Sequence, residues 1–148
     1  LRSRRLSPER ATLVALALSS LVFGLAHALN PNASPVAVTN VALGGVLLAA
    51  GYLVLGDLAL SVGIHLGWNL AQALLDMPVS GQRLVRDGAL VARESHGAEL
   101  VSGGAFGPEA GVTGLGAMMI GTLLALLWAR ARVGRLQVHP GFGRPPSA

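Results

Sequence analysis

The chain has no cysteine in its 148 residues. That excludes a disulfide framework, a thiolate metal site and a cysteine nucleophile. Lysine is absent as well, so all 11 basic residues are arginine. Charge of either sign is scarce. Charged residues are 12% of the chain, where an ordinary soluble domain carries roughly 25%. Aromatics are only 4%, so the high isoelectric point near 11.4 has no basic, aromatic-interleaved surface to go with it. A nucleic-acid partner is excluded on that ground, and the arginines are read instead as flanks of apolar segments.

What is present is long apolar sequence. Hydrophobic residues are 52% of the total and the mean hydropathy is +0.59, both far into the range of a polytopic membrane protein. Four apolar runs stand out, at residues 11–29, 36–55, 58–75 and 111–129. Each approaches the ~20 residues that cross a bilayer core. The expected fold is therefore all-α, a transmembrane bundle of about four spanning helices. Ser7-Pro8-Glu9 reads as N-cap, first-turn proline and first-turn acid of the first helix. Asn30-Pro31-Asn32, Gly56-Asp57 and Asp76-Met77-Pro78 read as stops. Glycines recur in the second, third and fourth runs, and small residues of this kind let membrane helices approach closely.

A polar stretch from Pro78 to Glu109 separates the third run from the fourth. Its apolar pairs Leu84-Val85 and Leu90-Val91 suggest hairpin or interfacial structure, and Gly103 to Glu109 reads as a turn-rich lead into the last helix. Arginines cluster at Arg2, Arg4, Arg5 and Arg10 and again at Arg130, Arg132, Arg135 and Arg144. With four crossings, that bias places both termini in the cytoplasm. Residues 137–148, rich in proline and glycine, read as a disordered tail.

Within the apolar runs the polar residues are few. His27 ends Phe23-Gly24-Leu25-Ala26-His27, and His65-Leu66-Gly67-Trp68-Asn69 puts His65 and Asn69 on one helix face. Ionisable residues at membrane depth are costly and are functional candidates by default. A neutral imidazole can take a proton, bind a metal or donate to an oxyanion, and an asparagine amide can do the last without charge. The two histidines and the asparagine can therefore line one polar pocket that activates a water. His27 lies near the end of its run and His65 nearer the middle of its own, so an offset of several ångströms is expected. Among the other polar residues, Trp68 reads as core or interface and Asn40 as a helix–helix partner. Glu109 reads as a charge or cap at the start of the last helix. A haem held between His27 and His65 is a weaker alternative, because it leaves Asn69 without a role.

Phe23-x-x-x-His27 and His65-x-x-x-Asn69, each in an apolar helix with one helix between, resemble the second and third motifs of the CPBP intramembrane proteases. These include the CAAX prenyl endopeptidases and bacterial bacteriocin-processing or abortive-infection members. The resemblance spans about Leu6 to Ala129, within a partial protease domain at residues 1–136. It implies an intramembrane endopeptidase in which His27 and His65 hold the catalytic water, or a divalent metal such as zinc if the reaction is metal-dependent. Asn69 then stabilises the oxyanion. It also implies a peptide or protein substrate, membrane-bound or prenylated, and residence in the bacterial plasma membrane. The family's first motif, Glu-Glu-x-x-x-Arg, which supplies the catalytic glutamate, is absent. The chain is accordingly expected to be a C-terminal fragment, inactive alone. The alternative is a non-catalytic immunity or partner-binding protein on the same scaffold.

Overall fold

The computed structural model describes residues 6–56, 58–85, 89–91 and 97–134. Asp57, the loop residues Arg86, Asp87, Arg93, Glu94 and His96, the flanking Arg2, Arg4, Arg5, Arg135 and Arg144, and the tail at 137–148 lie outside them. The described residues are helical: α1 (Pro8–Ala26), α2 (Pro35–Leu55), α3 (Ala59–Leu74), a single turn α4 (Glu99–Ser102), a 3₁₀ turn (Pro108–Ala110) and α5 (Val112–Val133).

The helix ends follow the local chemistry of the sequence. Ser7 caps α1 by accepting from the Arg10 N–H, with Pro8 in the first turn. Ser34 caps α2 by accepting from the Ala37 N–H at 3.1 Å. Gly56 closes α2 in the left-handed region at φ 75°, where glycine carries no Cβ penalty. Past the end of α3, Asp76 takes φ +52°. The Met77 N–H reaches back to Gln72 O at 2.8 Å and the Asp76 N–H to Ala73 O at 3.3 Å. This 6→1 and 5→2 pair is a Schellman closure, and Pro78 follows it.

α1, α2 and α5 are long and apolar enough to cross a membrane, which makes the protein an integral, multi-pass membrane bundle. The expected fourth span is not met. α3 has 16 residues, about 24 Å of helix against a hydrocarbon core of about 30 Å. It fills the apolar run of 58–75 except for the residues at its two ends, Leu58 and Leu75, which are its caps. The placement of both termini in the cytoplasm rested on four crossings and loses that support.

Apolar side chains cover the outside. Leu13, Leu18, Val22 and Leu25 on α1, Leu66 and Leu70 on α3, and Ile120, Leu123 and Leu124 on α5 are all exposed. In water so much apolar surface would mark an interface or an aggregation site; in a bilayer it is the lipid-facing face. Arg130 and Arg132 sit in the last turn of α5, where cations complement the helix dipole. The Arg132 guanidinium lies 5.5 Å from the centre of the Trp128 ring.

The interior is small and lies toward one end. Phe106, Ala37, Val41 and Ala110 form its core, with Phe23 and Ala33 against it. Phe106 carries the loop before α5 onto α2, and its carbonyl accepts from the Gly81 N–H at 2.6 Å. The turn after α3 is thereby locked to that loop, and Val79 and Gln82 pair across it in an isolated antiparallel bridge. Leu84-Val85 and Leu90-Val91, the pairs that suggested hairpin or interfacial structure, lie outside any helix or bridge.

The glycines do not all serve helix packing. A Cβ on Gly24 would stand 2.7 Å from Ala42 Cβ, and one on Gly45 would stand 3.2 Å from Phe23 Cδ1. α1 and α2 are close because these positions are bare. At Gly63, Gly67, Gly116 and Gly121 a Cβ meets nothing within 4 Å among the described residues. Close helix approach therefore explains the α1–α2 glycines and not those four.

Candidate functional site

A pocket of about 330 Å³ lies between the helices. α1 contributes Phe23 and His27, α2 contributes Val41, Gly44, Leu47 and Leu48, and α3 contributes Ile64, His65, Gly67, Trp68 and Ala71. α5 closes it with Ala117, Met118, Gly121 and Thr122, and Ser80 and Glu109 complete the wall. Most of the lining is apolar, and a few polar groups converge within it, the usual form of a ligand site.

His27 sits at the C-cap of α1. Its Nδ1 is 2.7 Å from Phe23 O. A carbonyl only accepts, so Nδ1 is the donor there, and in the neutral ring this tautomer puts the lone pair on Nε2. A backbone carbonyl behind an imidazole fixes its tautomer and aim in just this way. The Phe23 ring lies 4.9 Å from the His27 ring and 5.6 Å from the His65 ring, edge-on to the latter. Phe23, one turn before His27, thus touches both imidazoles. Both histidines line the same pocket.

Asn69 is placed differently. It lies one turn beyond His65 on α3, half-buried and outside the pocket lining. Its Oδ1 is shielded from solvent and has no hydrogen-bond partner among the described residues. A buried polar atom in that state is unusual in a native structure.

Two site residues escaped the sequence reading. Glu109 is buried at 6% exposure and does not cap α5, whose N-cap is Gly111 with no side-chain cap bond. Its Oε2 accepts from the Ser80 N–H at 2.8 Å and from Ser80 Oγ–H at 2.7 Å. Its Oε1 accepts from Trp68 Nε1–H at 3.2 Å. A buried carboxylate is tolerated only when hydrogen-bonded in this manner. Ser80, inconspicuous in the sequence, is buried and holds φ +46°. Its carbonyl accepts from Asn30 Nδ2–H at 2.9 Å. No local pattern marks Ser80, because its partners are 29 and 50 residues away. An acid beside Pro108 in a charge-poor flank was the visible signal for Glu109, and it reads first as a helix-end charge or cap.

Among the described residues no group of three His, Cys, Asp or Glu side chains is placed to hold a metal ion. His27 and His65 supply two nitrogens at most, and the oxygens of Glu109 are engaged by three donors. These residues by themselves do not complete a metal site, so the chemistry below is derived from the imidazoles.

The architecture is that of a multi-pass membrane bundle with a histidine-lined pocket between its helices. Residues 1–71 match the family model for type II CAAX prenyl endopeptidase Rce1-like proteins. That stretch, just under half of the chain, is similar to the Rce1-like domain of the CAAX/CPBP protease family, and it contains Phe23, His27, His65 and Asn69. Ser80 and Glu109 lie beyond it. No curated protein and no solved structure matches the chain.

Proposed function

We propose that the chain carries part of an intramembrane endopeptidase of the CPBP/CAAX type, within a domain at residues 1–136. The observation that carries this reading is the meeting of His27 and His65 in one mostly apolar pocket, inside the stretch that matches the family. The substrate is a peptide bond of a membrane-bound or lipidated protein. A water held by the imidazoles, and activated together with the glutamate of the family's first motif, which this sequence does not contain, attacks the carbonyl carbon. A C–O bond forms, the C–N bond breaks, and the water's proton passes through an imidazole to the leaving amine. The Nε2 lone pair of neutral His27 serves that transfer. Asn69 donates its amide N–H to the oxyanion once substrate is bound, and the divalent metal stays conditional on a further ligand.

The position of Asn69 outside the pocket lining favours a second reading, a non-catalytic binding protein on this scaffold. The two are separated by cleavage of membrane-anchored peptides by the full-length protein in vesicles. Loss of cleavage in His27→Ala, His65→Ala and Asn69→Ala, with folding intact, supports the peptidase. Cleavage that survives all three rejects it.

A further inference from the structure

Glu109 is the carboxylate that the described residues place in the wall of the histidine pocket, and the proposed reaction makes no use of it. Its bonds form part of a longer chain. Asn30, three residues past His27, donates to Ser80 O at 2.9 Å. Ser80 donates both its N–H and its hydroxyl to Glu109. Glu109 accepts from Trp68 Nε1–H at 3.2 Å, and Trp68, three residues past His65, shares its helix face. The loop after one histidine is thereby tied to the helix that carries the other. Ser80 holds a left-handed conformation that a non-glycine residue keeps only where its surroundings over-determine it, and its carbonyl, N–H and hydroxyl are all engaged in this chain.

We propose that Glu109 is a positioning residue for His27 and His65. It latches Trp68, and with it α3, to the Ser80 turn and so sets the separation and aim of the two imidazoles. A carboxylate suits this task because it only accepts, and three donors converge on it. A glutamine in its place must point an N–H at one of them. The consequence for turnover rests on the peptidase reading above; the placement of the rings does not.

The test is residue-resolved labelling of His65 by diethyl pyrocarbonate in the full chain, reconstituted in phosphatidylcholine vesicles and read by mass spectrometry. Glu109→Gln is expected to speed His65 labelling about tenfold, the equivalent of one lost charge-assisted hydrogen bond. Trp68→Phe removes one donor and is expected to speed it less. Glu109→Gln with Trp68→Phe removes the facing N–H and is expected to return labelling to the Trp68→Phe level, a rescue that general loosening of the fold would not give. Unchanged labelling in Glu109→Gln, or a double variant no slower than Glu109→Gln, would overturn the proposal. Should Glu109→Gln not fold, unchanged labelling in Trp68→Phe does the same. Cleavage that survives His27→Ala and His65→Ala would remove the peptidase reading and leave these labelling outcomes to decide the latch alone.

Discussion

The α1–α2 face and the α3–α5 face of the bundle are built from similar apolar, glycine-bearing helices and behave differently. On the first, glycine is replaced by contact: Gly24 lies under Ala42 and Val38, and Gly45 under Phe23 and Ser20. On the second, Gly67 and Gly121 line the pocket, and Gly63 and Gly116 meet nothing within 4 Å among the described residues. The close-packed face fixes Phe23, and through it His27. The open face leaves room for the pocket that His65 shares. A small residue in a membrane helix therefore has two uses, close approach and vacant volume, and the facing element decides between them.

The largest expected effects break the comparison at its functional end. His65→Ala and His27→Ala should each lower peptide cleavage by the full-length protein by about 10²–10⁴-fold, the range for a lost acid–base group. Asn69→Ala should cost about 10²–10³-fold if its amide meets the oxyanion. Rates within a few-fold of the parent in these variants would show that the shared pocket is not a reaction site. Next is the packed face itself. Gly24→Ala places a methyl 2.7 Å from Ala42 Cβ, and overpacking of this kind costs about 1–3 kcal/mol. A thermal unfolding midpoint in detergent that does not fall would mean α1 and α2 can separate freely.

Ser80→Ala probes the link between the faces. It leaves Glu109 with one donor fewer, at a cost of about 1–3 kcal/mol for a buried acceptor, read by denaturation in the same detergent. The smallest effect belongs to the open face. Gly63→Ala should be neutral or stabilising by up to about 1 kcal/mol, since alanine is the better helix former and the site has room. A loss comparable to that of Gly24→Ala would show that the two faces are packed alike.

Much of this was legible from residue order. The apolar runs, the Ser7 cap with Pro8 behind it and the Gly56 stop are local features, and each appears where the pattern indicates. The two histidine motifs were legible because their spacing is a property of single helices. The end of α3 falls at the expected Asp76 stop, and what was misjudged is its span: apolar composition marks the run as membrane-crossing, while a helix of 16 residues is too short to cross. Glu109 and Ser80 were missed or misassigned because their roles arise between elements far apart in the chain.

Sequence alone determined the class of the protein, an all-helical membrane bundle with His27 and His65 in apolar helices, because hydropathy and helical spacing act over one or two turns. Tertiary structure alone decided that the two imidazoles share Phe23, that Asn69 stands outside the pocket lining, and that Glu109 joins its wall. Those outcomes depend on how the turn after α3 folds against the loop before α5, where long-range hydrogen bonds through Ser80 and the burial of Phe106 select one arrangement that no local pattern encodes.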